Sequence, residues 1–111
     1  MDPQTLENLL AKGPDNAMLR FGLGKAWLDA GEAAKAAPHL QRCLEFDPGY
    51  SAAWKLLGKA LAAVDDPDGA RRAWRQGIEV AAGKGDKQAE KEMTVFLRRL
   101  DKAGSGPKTP T

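Results

Sequence analysis

Apolar and small residues recur along this chain at the three-and-four spacing of a helix face, and they do so in six separate stretches. In residues 51–63, Trp54, Leu57, Gly58, Leu61 and Ala62 share one face, and Leu23, Gly24, Trp27 and Leu28 repeat it earlier. A second kind of helix carries Ala33, Ala36, Ala37, Leu40, Cys43 and Leu44. Its later counterpart carries Ala70, Ala73, Trp74, Gly77 and Ile78. The chain opens on a short stretch with Leu6, Leu9 and Leu10. It closes on residues 86–102, where Ala89, Met93, Phe96, Leu97 and Leu100 form a stripe opposite Lys87, Glu90, Lys91, Arg98, Arg99 and Lys102.

The breaks between these stretches have turn chemistry. Asp29-Ala30-Gly31-Glu32 and Asp65-Asp66-Pro67-Asp68 separate neighbouring helices. Asp66 before Pro67 suits an N-cap followed by proline at the first helical position, and Asp86 suits the cap of the last helix. Asp47-Pro48-Gly49 is a turn. Pro38 falls inside a helical stretch. Because Ala33 belongs to the apolar face, the helix is expected to start near Glu32. Pro38 then removes one hydrogen bond, to the carbonyl of Ala34, and bends the helix locally.

The tetrapeptide Leu-Gly-Lys-Ala occurs at residues 23–26 and again at 57–60, 34 residues apart. The same shift aligns Ala36 with Ala70, Glu45 with Glu79 and Gly49 with Gly83, and sets Leu40 on Trp74 and Leu44 on Ile78. Run backwards, it sets Leu6 on Leu40, Leu9 on Cys43, Leu10 on Leu44 and Pro14 on Pro48. The expected organisation is one domain over residues 1–103. It comprises a half-repeat (3–15), two full repeats (17–50 and 51–84) and a capping helix (86–102). A flexible tail from residue 104, with nothing apolar to bury, follows.

Composition narrows the classes. Of 111 residues, 42% are hydrophobic and 29% charged, which describes a folded soluble chain rather than a disordered one. A net charge of +2 is too near balance to imply nucleic acid. The one cysteine, Cys43, leaves no intramolecular disulfide and is compatible with a reducing compartment. No long apolar run suggests a membrane span, and Met1-Asp2-Pro3 lacks the basic start of a secretory signal, so the expectation is cytoplasmic.

Catalytic and cofactor chemistry finds no complete constellation. His39 lies four residues before Cys43, a spacing open to a nucleophile with its base or to half a metal site. Cys43 nevertheless occupies the small core position that Leu9 and Gly77 hold in the other units, and no second group completes a metal set. The two Gly-Lys pairs are not phosphate loops. Leu19 and Ala53 stand where the first glycine is required, Ala26 and Ala60 stand where the hydroxyl is required, and neither follows a strand. Arg71, Arg72 and Arg75, with Arg98, Arg99 and Lys102, read as solvated helix faces rather than a nucleic-acid surface. Trp27, Trp54 and Trp74 fall on packing stripes and read as core. No enzyme, cofactor, metal, nucleic acid or membrane is expected.

With a 34-residue helix-turn-helix period, the sequence resembles the tetratricopeptide repeat family. Trp54, Leu57-Gly58, Leu61, Ala70, Trp74 and Gly77 carry the pattern in one unit, and Leu23-Gly24, Trp27, Ala36, Leu40, Cys43 and Pro48 in the other. Arg20 departs from the first Trp, Leu61 and Trp27 from Tyr, and Ala82 from the closing Pro. The resemblance implies an all-α, right-handed superhelical stack of antiparallel helix hairpins with about six helices. It implies a protein-interaction module, such as a co-chaperone or assembly scaffold, that holds a peptide or helix in a concave groove. Carried over residue by residue, that groove presents Met18, Phe21, Lys25 and Leu28 from the first unit and Lys55 and Lys59 from the second, with Phe21 as the apolar anchor. Lys55 matches a position at which some members clamp a carboxylate, and Lys59 stands where they carry asparagine. The partner expected is a protein segment with an apolar anchor and acidic or C-terminal carboxylate groups. The chain itself is expected to be a monomer or weak homo-oligomer. The alternative is a self-associating structural module.

Overall fold

The structure is a computed structural model describing residues 2–104, and the expected tail lies outside the described residues. Six helices and no strand occur among them: α1 (Pro3–Lys12), α2 (Ala17–Asp29), α3 (Ala33–Phe46), α4 (Ser51–Ala63), α5 (Pro67–Lys84) and α6 (Lys87–Gly104). The six helices expected from the periodicity, in the all-α stack of hairpins that the resemblance implies, are the fold found.

Local chemistry sets most of the ends. Asp2 accepts a hydrogen bond from Thr5 N, Asn16 from Leu19 N, Asp66 from Gly69 N and Asp86 from Ala89 N, at 2.8–3.1 Å. Each satisfies a donor that the first helical turn leaves unpaired. Pro3 and Pro67 lie in first turns, where a missing N–H is harmless. The α2–α3 turn passes through Gly31 in the left-handed region (φ 80°). One repeat on, the same conformation falls on Asp65 (φ 66°), a residue type whose short polar side chain tolerates it. Pro38 lies inside α3 with its ring at the surface, as the early helix start required.

One departure from the repeat shapes the second half. α3 and α5 start 34 residues apart, but α3 has 14 residues and α5 has 18. Pro48 disfavours helical backbone at Asp47, so α3 stops at Phe46. Ala82 stands in the corresponding place, so α5 continues to Lys84, where Gly85 in the left-handed region (φ 74°) ends it. As a result α6 starts 36 residues after α4. With a shift of 36, Ala53 falls on Ala89, Leu57 on Met93 and Leu61 on Leu97. In this register the last helix repeats packing positions of α4.

The helices form two layers. Each packs on the next in sequence. In addition the backbones of α2 and α4, and of α4 and α6, come close, while those of α1, α3 and α5 stay further apart among the described residues, α1 reaching α3 through the Glu7 and His39 side chains. The α2–α4–α6 layer is the tighter and hence the inner side of the curve, and the α1–α3–α5 layer splays outside it. The core is continuous across the stack. One cluster centres on Ala36, Leu40, Cys43, Ala53 and Leu57, and the other on Ala70, Trp74, Ala81, Ala89 and Met93. Trp54 and Leu61 of α4 pack against both and join them. This is the neighbour-by-neighbour stabilisation of a helical stack.

Within each hairpin a glycine faces a large residue. A Cβ added at Gly24 would fall on the Leu40 side chain, and one at Gly58 on the Trp74 indole. Leu40 and Trp74 are the same repeat position, so close approach over a glycine recurs. The Trp74 Nε1–H also donates to the Lys55 carbonyl of the facing helix at 3.1 Å.

Gly58→Ala is expected to lower the unfolding free energy by about 1–3 kcal/mol, because overpacking outweighs the gain in helix propensity. At Gly83, late in α5, an added Cβ meets nothing within 4 Å. Gly83→Ala is therefore expected to raise stability by about 0.5–1 kcal/mol. Urea unfolding of the two variants against the parent chain checks both signs.

Candidate partner-binding groove

The inner layer carries the side chains expected to face a partner, but it uses them unequally. Phe21 is half-buried and stacks on Tyr50, with ring centroids 4.8 Å apart. Leu28 packs against the first core cluster. Lys25 is exposed and pairs with Asp29 one turn on at 3.0 Å, the kind of helix-surface pair that contributes little. Lys55 reaches across to α6 and meets Glu92 at 2.8 Å. The Lys55 hydrogen bond holds the Glu92 carboxyl below the ordinary carboxylate range. Met18 is the most exposed large apolar residue of those described, at 78%, and stands at the end of the stack beside α1.

Lys59 is placed differently. Its Nζ lies 5.3 Å from the centroid of the Phe96 ring, within cation–π range. Beside it opens a shallow cleft of about 380 Å³, lined by Lys59, Ala62, Trp74, Phe96, Arg99 and Leu100. The aromatic pair Trp74–Phe96, with centroids 5.5 Å apart, and Leu100 make an apolar floor. Among the described residues neither Lys59 nor Arg99 is paired with a carboxylate. An apolar hollow between two such cations suits an apolar side chain next to an anionic group.

Phe96, Leu100 and Arg99 did not enter the groove expected from the sequence, because residues 86–102 read as a cap. The signal was present in the 36-residue shift, which sets Ala60 on Phe96 and Val64 on Leu100. A strict 34-residue comparison hides it.

The other chemistry weighed from sequence falls into place. His39 does not face Cys43 as a base. It belongs to a chain of polar contacts that fastens α1. Glu7 accepts from Trp27 Nε1–H and from His39 Nε2–H, each at 2.9 Å. Arg20 can only donate, so its contact with His39 Nδ1 at 3.0 Å sets the proton on Nε2. Arg20 in turn makes a two-pronged pair with Asp15 at 2.7 and 2.8 Å. Partial burial of Glu7 raises its pKa, but the bonds from Trp27 and His39 and the Arg20 charge outweigh this and hold it below the ordinary range. Cys43 is fully buried, and its thiol is pushed up to about 11 by burial and the negative charge of Asp47. A thiol so placed is a packing group rather than a nucleophile. Arg71, one of the basic cluster, is engaged by Asp68 and Asp101 at 2.8 Å each. No group of three metal-ligating side chains occurs among the described residues, and none of their helices is long and apolar enough to cross a membrane.

Known proteins resemble the chain over nearly its whole length. Two family models described as "Tetratricopeptide repeat" match residues 4–51 and 28–84. A TPR repeat-containing protein of Pseudomonas aeruginosa is 70% identical over 98 residues, covering 88% of this chain and 93% of its own. The heat-shock protein cognate co-chaperone sgt12 of Aspergillus fumigatus is 29% identical over 101 residues. That match covers 91% of this chain but 30% of the co-chaperone. Among solved structures, a Bordetella parapertussis protein superposes with a TM-score of 0.79 at 48% identity, covering 91% of this chain and 88% of that one.

Two measurements probe the buried chemistry. A thiol reagent at about pH 8, below the Cys43 value, is expected to leave Cys43 unmodified until urea unfolds the chain. Glu7 has a lower pKa folded than unfolded, so its stabilisation is present above the ordinary glutamate value, about 4.3, and is lost as pH falls below it. Between about pH 5 and 3 the parent chain should therefore lose more stability than Glu7→Gln, read by chemical unfolding at each pH.

Proposed function

The chain belongs to the tetratricopeptide repeat family, and on that premise we propose that its inner layer holds a peptide or helical segment of a partner protein. The carrying observation is the cleft between α4 and α6, where Lys59 and Arg99 flank the apolar floor of Trp74, Phe96 and Leu100. The partner segment brings one apolar side chain, seated on Phe96 and Trp74. Beside it comes an acidic side chain or a free C-terminal carboxylate, met by Lys59 and Arg99. A hydrogen bond between charged groups is worth more than a neutral one, and the apolar contact fixes its register.

The groove residues read from sequence divide on this view. Lys59 carries the ligand charge. Lys55, tied to Glu92, holds α6 against α4 and so shapes the cleft. Lys25 extends the basic surface toward the first repeat, while Phe21 and Leu28 support the layer from beneath. The role is a non-catalytic, cytoplasmic one, of the co-chaperone or scaffold kind. The similarity to a fungal co-chaperone supports a protein partner.

The test is titration of the ¹⁵N-labelled chain with short peptides. Each carries one Leu, Phe or Trp beside an acidic residue or at a free C-terminus. Binding is expected to move the amides of Lys59, Phe96 and Leu100. Lys59→Glu with Arg99→Glu should weaken it tenfold or more, for a loss of about 1.5–3 kcal/mol, whereas Lys25→Glu changes it about twofold or less. Binding that ignores the double reversal, or no binding by any peptide, removes the assignment.

A further inference from the structure

The outer layer ends in an open apolar seat. α1 contributes no buried residue, and its Leu9 is 48% exposed. Leu9 and Met18 lie together in a cleft of about 470 Å³ between α1 and α2, with Leu6, Leu19 and Gly22 as its other apolar lining and Lys12 at its edge. The repeat register identifies this shape. Moved on by 34 residues, Leu6, Leu9, Leu19 and Gly22 become Leu40, Cys43, Ala53 and Leu56. Leu40, Cys43 and Ala53 belong to the first core cluster, and Leu56 packs against it together with Phe21, Trp27 and Leu28 of α2. The surface that α2 covers on α3 and α4 is thus repeated, one unit earlier, on α1 and α2.

We propose that the α1–α2 cleft is a docking seat for an amphipathic helix supplied by a partner protein. The way α2 fills the equivalent seat specifies that helix. It runs antiparallel to α1, as α2 runs to α3. It carries glycine over Leu6, because Gly24 leaves no room for a Cβ over the equivalent Leu40. Apolar residues stand three positions before and three and four after, as Phe21, Trp27 and Leu28 stand about Gly24. Its first turn faces the C-terminal end of α1, where Lys12 has no carboxylate partner among the described residues. An acidic residue there complements both Lys12 and the helix dipole.

A second copy fits less well. It would offer α6, the helix at the other end. At the place of Gly24 and Gly58, the 36-residue register gives α6 Thr94, with Glu90 and Arg98 on either side. A branched polar residue would meet Leu6 where a glycine is needed.

The test uses the full chain and a peptide of residues 14–31, the sequence of the helix that fills the equivalent seat. A lactam joins the side chains of Lys25 and Asp29, which already pair one turn apart, and keeps the peptide helical. Binding with a Kd below about 1 mM is expected, moving the amides of Gly13 and Gly22. Leu9→Lys and Met18→Lys, both at exposed positions, should each weaken it about tenfold or more, as should Gly24→Leu in the peptide. The Lys59→Glu, Arg99→Glu chain should bind it unchanged, which separates this seat from the groove. No binding at about 1 mM, binding insensitive to Leu9 and Met18, or shifts confined to Lys59 and Phe96 overturns the proposal. So does a dimer of the chain alone, seen by sedimentation equilibrium, that Met18→Lys dissolves, since the occupant would then be a second copy.

Discussion

Each hairpin depends on one close approach, a glycine of the inner helix lying against a large residue of the outer helix. Gly24 faces Leu40 and Gly58 faces Trp74, and in both places a single added carbon would collide. Absence of a side chain on one helix lets the other bring its largest group under the backbone, and this sets the separation of the layers. From that separation follow the burial of Leu23, Cys43 and Ala60, the reach of Trp74 beneath α4, and the emergence of the indole on the floor of the α4–α6 cleft. The contact that holds the hairpin together is also the one that builds the candidate site.

The second constraint is the missing proline at residue 82. With nothing to stop it, α5 runs four residues longer than α3, and Gly85 ends it instead. α6 arrives two residues late in sequence but in the right place in space, so it completes the inner layer. That placement sets Glu92 within reach of Lys55 and Phe96 within reach of Lys59. At the other end of the stack no helix among the described residues packs on the far side of α1. It is held less by apolar burial than by the polar chain through Glu7, His39, Arg20 and Asp15. A core-bound middle between one polar-fastened end and one polar-faced end leaves the α1–α2 junction as the place where apolar surface remains open.

Much of the fold was legible because helical periodicity, caps and the 34-residue repeat are local or translational signals. Leu23-Gly24 and Leu57-Gly58 marked the packing face, Asp66-Pro67 and Asp86 marked starts, and Pro48 marked a stop. Less of the candidate site was legible. Phe21 appeared as an anchor because its spacing carried it off the packing stripe, yet in space it meets Tyr50. Lys55 appeared as a ligand contact, yet it meets Glu92, 37 residues away. Both partners lie on neighbouring helices, and spacing within one helix carries no information about them.

The sequence by itself determined the helices, their order, the repeat and the family, because hydrophobic period and backbone chemistry act along the chain. It also excluded a phosphate loop, since the required glycine and hydroxyl are absent at stated positions. Only the tertiary structure decided which lysine is engaged and which is not, that α6 lies beside α4 in the inner layer, and that His39 fastens α1 rather than serving Cys43. Those outcomes depend on which side chains from different helices come within a few ångströms, and that distance is set by packing across the stack rather than by position along the chain.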